Sequence, residues 1–417
     1  MKIEKPELLL PAGSLSKFQT AFLYGADAVY CGFAQMSLRA KSTFRTDEMK
    51  TAIEFAHSIG KKVYLAINLF SHNKDVTHLK EVIQTAKILN PDGLIISDPG
   101  IFQFVKENIP QMTIHISTQA NICSWLTVDF WKKLGANLCV LGREVSFQEA
   151  KEIRHKCKGI KLEIFIHGAM CISYSGRCLL SAFMSSRSAN RGSCAHSCRW
   201  KYKSKLLIEE EMRPGQYLEI EEDDLGSYIL NSKDLCLMPK LNKILETGFN
   251  SLKIEGRNKS EYYVAQTARV YRKAIDDYFE NPYEWSCEKY VDELNTLQNR
   301  GYTMGFFDGI PDDKAQDYRD TLSKSEYRNA GVVKENCDGK LVIELRHKLK
   351  EGDEIEILSP FQFEPIKIKL NAIYNKDNNK IIEELSPGKT NQSVKIPIPK
   401  TQRNLFPPNT VLRIKVS

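Results

Sequence analysis

The chain has 417 residues, a length at which two or three domains are expected, although a closed α/β barrel can run longer as one unit. Hydrophobic residues make up 42% and charged residues 27%, which excludes a disordered chain. Apolar runs such as Leu8-Leu9-Leu10 fall far short of the ~20 residues of a membrane helix, and no apolar stretch of the signal-peptide kind follows Met1-Lys2-Ile3-Glu4. A cytoplasmic location is therefore expected, with no membrane partner. The net charge of +7 is compatible with an anionic partner without specifying one.

From the start, short strand patterns alternate with amphipathic helical ones. The runs are Glu7 to Leu10, Ala28 to Cys31, Lys62 to Ile67, Gly93 to Ile96, Thr113 to Ile116, Leu138 to Leu141, Leu162 to Ile166 and Ser251 to Ile254. Segments such as Ser16 to Tyr24, Asp47 to Ile59 and Ser146 to Lys156 read as helices between them. Near-continuous apolar strands separated by helices imply a parallel sheet covered by helices. Eight of them select a closed (β/α)8 barrel of the TIM type. Asn68, Asp98, Gln119, Arg143, Glu144, His167, Glu255 and Arg257 follow the carboxyl ends of these strands. That is the end of such a barrel where chemistry is placed. The ordinary alternative for any one of them is a cap or loop residue.

The seventh and eighth strands are too far apart for one crossover helix, so residues 171–248 form an insertion over the barrel mouth. Within it, Tyr217 to Glu221 suggests a hairpin strand after the Pro214-Gly215 turn. Beyond the barrel, Glu261 to Phe279 has helical spacing, and residues 306–330 look like a connector. From 331 to 417 polar and apolar residues alternate, as in Leu341 to Leu345, Glu354 to Ile357, Ile366 to Leu370 and Val411 to Val416, which predicts a small all-β, barrel-like domain. The barrel with its insertion then spans 1–305.

Eleven cysteines in a chain without a secretory signal are read as thiols or metal ligands. Five crowd together with the spacing Cys171-x6-Cys178-x15-Cys194-x3-Cys198-x37-Cys236. A zinc ribbon uses two short knuckles, and only Cys194 and Cys198 make one. The wider intervals suit an iron–sulfur cluster, whose thiolates can come from separate loops. Zinc and unligated thiols are the alternatives. Four ligands suffice for a 4Fe-4S cluster. Cys171, Cys178, Cys236 and Cys194 are the chosen set, with Cys198 competing for the last place. Between residues 164 and 208, Arg177, Arg187, Arg191, Arg199, Lys201, Lys203 and Lys205 face no Asp or Glu, so this stretch is either a solvated loop or an anion- or RNA-binding one. His167 and Cys171 could pair as imidazole and thiolate. His167 is otherwise a loop histidine, or a residue supporting the cluster or contacting substrate.

Glu163 to Cys171, Ser173 to Cys178, Asn190 to Arg199, Ser232 to Cys236 and Leu252 to Arg257 together resemble the signature of the collagenase-like peptidase family U32. Glu7 to Gly13, Tyr24 to Tyr30 and Ile116 to Asn121 extend the resemblance over about the first 275 residues. The family name implies a peptidase, yet the sequence carries neither a His-Glu-x-x-His nor a Gly-x-Ser-x-Gly motif. Other members of the family are implied to be oxygen-independent hydroxylases of tRNA, ribosomal RNA or the ubiquinone ring that carry a 4Fe-4S cluster. A chain of this length with an added β-domain is most similar to the branch that makes 5-hydroxyuridine at the tRNA wobble position with prephenate, a small dicarboxylate. On that resemblance the mouth holds a flipped uracil. Arg143, Arg257 or Arg39 would fork onto a carboxylate, and Glu255 or Glu144 would move a proton. Gln119 or Asn121 would read the uracil edge, Asn68 and Lys253 complete the binding set, and His167 joins the catalytic candidates. A peptidase and an RNA-binding partner of another modifying enzyme are the rival readings. Oligomeric state is not legible.

Overall fold

The structure, a computed structural model, describes residues 3–32, 45–69, 71–170, 233–309, 325–337, 339–376, 380–388 and 392–416, together with four two-residue strands between 208 and 227. Seven parallel strands open the chain: β1 Glu7–Ala12, β2 Ala28–Gly32, β3 Lys62–Ile67, β4 Gly93–Ile96, β5 Ile114–Ile116, β6 Leu138–Val140 and β7 Lys161–Ala169. After β8 (Asp234–Cys236) comes β9 (Ser251–Ile254), which pairs in parallel with both β7 and β1 and closes the ring. The expected eight-stranded TIM-like barrel is therefore present, with β9 as its eighth stave.

The outer shell is helical: α1 Leu15–Leu23, α2 Thr46–Ser58, α3 Asn73–Leu89, α4 Pro99–Asn108, α5 Trp125–Lys133, α6 Phe147–Lys156, α7 Leu241–Thr247 and α8 Glu261–Glu280. Each buries one stripe against the strands, as Met49, Ala52, Ile53 and Ala56 do on α2. Local chemistry sets where they begin. Ser146 and Glu149 form a reciprocal capping box on α6, and the Asp98 carboxylate accepts from Gly100 N and Ile101 N ahead of Pro99. Asp98 is thus a helix cap, the ordinary alternative for a rim residue.

Strand β7 runs past the expected end at Ile166 because β8 pairs antiparallel with its last residues, matching Cys236 to His167 and Asp234 to Ala169. Strand β8 and α7 carry the tail of the insertion, so its last residues include the crossover helix of the eighth unit. The hairpin expected near Tyr217 is seen as Ile208–Glu209 pairing antiparallel with Tyr217–Leu218. A short helix, α9 (Glu288–Asn295), follows α8 and was not foreseen.

The C-terminal domain is an eight-stranded antiparallel sheet whose first strand, Tyr327–Cys337, begins ahead of Gly331. It has its own core, which includes Val333, Ile343, Ile355, Leu412 and Phe406. It is seated on the barrel by polar groups. The Tyr24 hydroxyl donates to Leu358 O and accepts from Val411 N at 3.0 Å. Glu293 of α9 pairs with Arg269 of α8 and, at 3.1 Å, with Arg413 of the last strand. Among the described residues, no helix is long and apolar enough to cross a membrane.

Candidate active site at the barrel mouth

Alternation along a strand sends every second side chain into the barrel. Leu9, Ala28, Tyr30, Tyr64, Ala66 and Ile95 accordingly form an interior cluster apart from the main core beneath the helices. The register sets Ser251 beside Glu163 and Lys253 beside Phe165. The Glu163 carboxylate, fully buried, accepts from Lys253 Nζ at 2.7 Å and from the Ser251 hydroxyl at 2.9 Å. Lys253 Nζ also lies 4.5 Å from the centre of the Tyr30 ring and 5.6 Å from that of Phe165. This ion pair forms the floor of the site.

Above the floor, three strand ends converge. The Tyr30 hydroxyl donates to Glu255 Oε2 at 3.0 Å, and Arg143 Nη2 lies 3.7 Å from the same oxygen. The Arg143 guanidinium covers the Phe165 ring at 4.2 Å, and that of Arg257 lies 5.7 Å from the Tyr30 ring. Burial, reinforced by the Glu255 charge, pushes the Tyr30 phenol well above its ordinary range, so it stays a proton donor. The rim backbone is packed too tightly for side chains at two points. A Cβ on Gly168, at φ +123°, would meet Glu255 O at 2.4 Å, and one on Gly256, at φ +153°, would meet the Tyr263 ring at 2.6 Å. The Tyr263 hydroxyl donates to Glu255 O at 2.7 Å and fixes the strand end. Arg143 thus faces the Glu255 carboxylate, while Lys253 and Arg257 flank the Tyr30 ring, whose hydroxyl donates to it, which gathers positive charge beside a group that exchanges protons.

His167 stands in the wall. It is 1% exposed and ringed by Tyr302, Tyr271 and Tyr263, with centroids 5.3, 5.7 and 5.8 Å away. Its Nδ1 is 3.4 Å from the Tyr271 hydroxyl, which donates to Ile166 O at 3.0 Å. Burial lowers its pKa to about 3, leaving a neutral ring at physiological pH. Cys236 sits across from it, with Sγ 3.8 Å from the same Tyr271 hydroxyl, and burial raises its thiol to about 11. Such a thiol ionises only beside a strong positive charge, which a metal centre would provide; as it stands the Tyr271 hydroxyl gives its proton to Ile166 O and can accept from the Cys236 S–H. Cys236 therefore fits the role of one cluster ligand. Cys171, Cys178, Cys194 and Cys198 lie outside the described residues, as do Arg39 and the basic stretch from Arg177 to Lys205. No group of three or more metal-binding side chains occurs among the described residues.

The other candidates occupy the rim. Gln119 is buried and accepts from the Ser117 hydroxyl at 3.3 Å. Asn121 is exposed and ends its turn at φ +61°, a left-handed position that asparagine tolerates. Glu144 folds back over Gly142, where a Cβ would come within 2.8 Å of its Oε2. Asn68 is half-buried at the end of β3. A rim pocket of about 230 Å³ is lined by Leu69, Ser97, Asp98, Gln119, Ala120 and Trp131 among others. The sequence reading missed Tyr30, Phe165, Glu163 and the three tyrosines around His167. Glu163 and Lys253 left a signal, since each is a lone charge inside an apolar strand.

Residues 13–317 match the model of peptidase family U32, and residues 325–413 match that of the U32 C-terminal domain. The chain is 37% identical to tRNA hydroxylation protein P of Haemophilus influenzae, across 97% of this chain and 98% of that protein. It is 36% identical to tRNA hydroxylation protein P1 of Bacillus subtilis, across 99% and 96%. It is also 31% identical to a protein named collagenase from Porphyromonas gingivalis, across 74% and 75%. The barrel, its glycine-pinned mouth and the appended β-domain thus belong to one lineage: the chain is a member of peptidase family U32.

Proposed function

We propose that this protein hydroxylates tRNA independently of molecular oxygen, converting the wobble uridine to 5-hydroxyuridine with a 4Fe-4S cluster and a small dicarboxylate, prephenate. The names of its full-length relatives support the tRNA reading. The carrying observation is the mouth itself, where Arg143 and the Tyr30 hydroxyl engage Glu255 and the cations Lys253 and Arg257 flank the Tyr30 ring.

Uracil C5 is reached by turning the nucleotide out of its stack into the mouth. Arg257 and Arg143 hold a carboxylate through planar, bidentate contacts, with Arg143 preorganised over the Phe165 ring and Arg257 near the Tyr30 ring. Glu255 exchanges the proton lost from C5, with the Tyr30 hydroxyl steadying its charge. Cys236 and three of the four cysteines of 171–198 would hold the cluster, which when bound supplies one-electron redox chemistry. His167 and Tyr271 act on Cys236 as positioning residues.

The peptidase reading has the collagenase-named relative in its favour. Against it, His167, the imidazole that would pair with Cys171, is enclosed by three tyrosines and is not open to a peptide. Anaerobic purification tests the two. About four irons per chain, with Arg257→Ala raising the dicarboxylate requirement of tRNA hydroxylation, is the expected result. Iron-independent peptide cleavage lost on His167→Ala would overturn the proposal in favour of the peptidase.

A further inference from the structure

Helix α6 carries Lys151, Arg154 and His155 at spacings of three and four, so they share one face, and Lys158 extends that face past the helix end. Lys243 of α7 faces them across a groove of about 550 Å³ that is also lined by Phe147, Glu246 and Thr247. Nearby carboxylates are engaged elsewhere. Glu149 caps its own helix at Ser146, Glu152 pairs with Lys156 at 2.7 Å, and Glu246 accepts from the Tyr278 hydroxyl at 3.3 Å. Lys151, Arg154, Lys158 and Lys243 make no ion pair with any described carboxylate. Cations in the last turn of α6 suit the helix dipole. That does not account for Lys151 in the middle of the helix, nor for Lys243 on its neighbour.

The groove also has a direction. Phe147 lies three residues beyond Glu144, and its ring stacks on Phe307 at 4.5 Å, so the groove starts at the rim and descends the outer wall of the barrel. The basic face of α6 is about 10 Å long, enough to pass more than one phosphate of a strand carrying one charge per ~3.4 Å.

We infer that the α6–α7 groove is a docking track for the sugar-phosphate backbone of the substrate RNA, holding the stem beside the mouth while one base enters it. This rests on the tRNA reading above and adds a binding surface distinct from the mouth. Contacts of this kind position without reading sequence.

The test is the binding of an unmodified tRNA transcript to the full chain, measured across a salt series. The variants are Lys151→Glu/Arg154→Glu/Lys243→Glu and, as a control with equal charge change, Lys74→Glu/Lys80→Glu/Lys87→Glu on exposed positions of α3. The groove variant is expected to weaken binding on the order of tenfold or more and to flatten the salt slope by about 2 to 3, while the control changes little. Equal loss in both variants, or unchanged binding in the groove variant, overturns the docking track and leaves the tRNA reading standing. A wild-type chain that binds no tRNA overturns both. Thermal unfolding of the variants at wild-type temperature establishes that the loss is one of binding.

Discussion

Replacing Glu163 by leucine removes the carboxylate that pairs with Lys253 inside the barrel. The carboxylate is 0% and the lysine 4% exposed, the ammonium lies 2.7 Å from Oε1, and the Ser251 hydroxyl donates to Oε2 at 2.9 Å. Breaking a buried pair costs about 3–5 kcal/mol, chiefly because the remaining charge is stranded without water. The Tyr30 and Phe165 rings return part of this, about 0.5–2 kcal/mol. The expected cost of Glu163→Leu is therefore about 2–4 kcal/mol, and that of Lys253→Met, which strands the carboxylate with no such return, about 3–5 kcal/mol. The double variant strands neither charge and should fall within about 1–2 kcal/mol of wild type, since apolar groups of similar size often replace buried pairs at little cost. Urea unfolding followed by tryptophan fluorescence gives all four corners of the cycle. Single variants costing under about 1 kcal/mol, or costs that simply add, would refute the view of this pair as the floor of the site.

Two other tests probe the rim and the domain seat. Gly168→Ala places a Cβ against Glu255 O at a φ of +123°, so a loss of about 1–3 kcal/mol is expected together with a fall in kcat as Glu255 shifts. Unchanged thermal stability would refute the close approach. At Glu293, burial opposes ionisation, but Arg269 and Arg413 outweigh it and hold the carboxyl below its ordinary 4.5. Its stabilising effect is therefore complete above pH 4.5 and is lost as pH falls through the lower folded value. The stability gap between wild type and Glu293→Gln should accordingly be widest near neutrality and close in acid. A gap that widens on acidification would reverse the sign of the argument.

The barrel was legible because a buried parallel strand must be apolar on both faces, and β2 through β7 each carry that mark between amphipathic helices. The rim was legible as a location, since Arg143, Glu255 and Arg257 follow strand ends, and the structure brings these three together. What stayed hidden depends on contacts made across the ring. Tyr30 reads as an ordinary strand residue until β9 sets Lys253 and Glu255 against it. Strand β8 is three residues long and gains its place from pairing with the end of β7 on one side and with Tyr302–Thr303 on the other, which no local pattern encodes. His167 read as a loop residue because the enclosing Tyr263, Tyr271 and Tyr302 arrive from later in the chain. Asp98 and Asn121 had rim positions for local reasons, a helix cap and a left-handed turn.

The central claim is tested most directly by mass spectrometry of tRNA nucleosides from cells lacking this gene and any paralogue, with the wild-type chain or Arg257→Ala restored. Loss of 5-hydroxyuridine derivatives, recovered by the wild-type chain and not by the variant, is the expected result. Undiminished 5-hydroxyuridine in the deletion would contradict it.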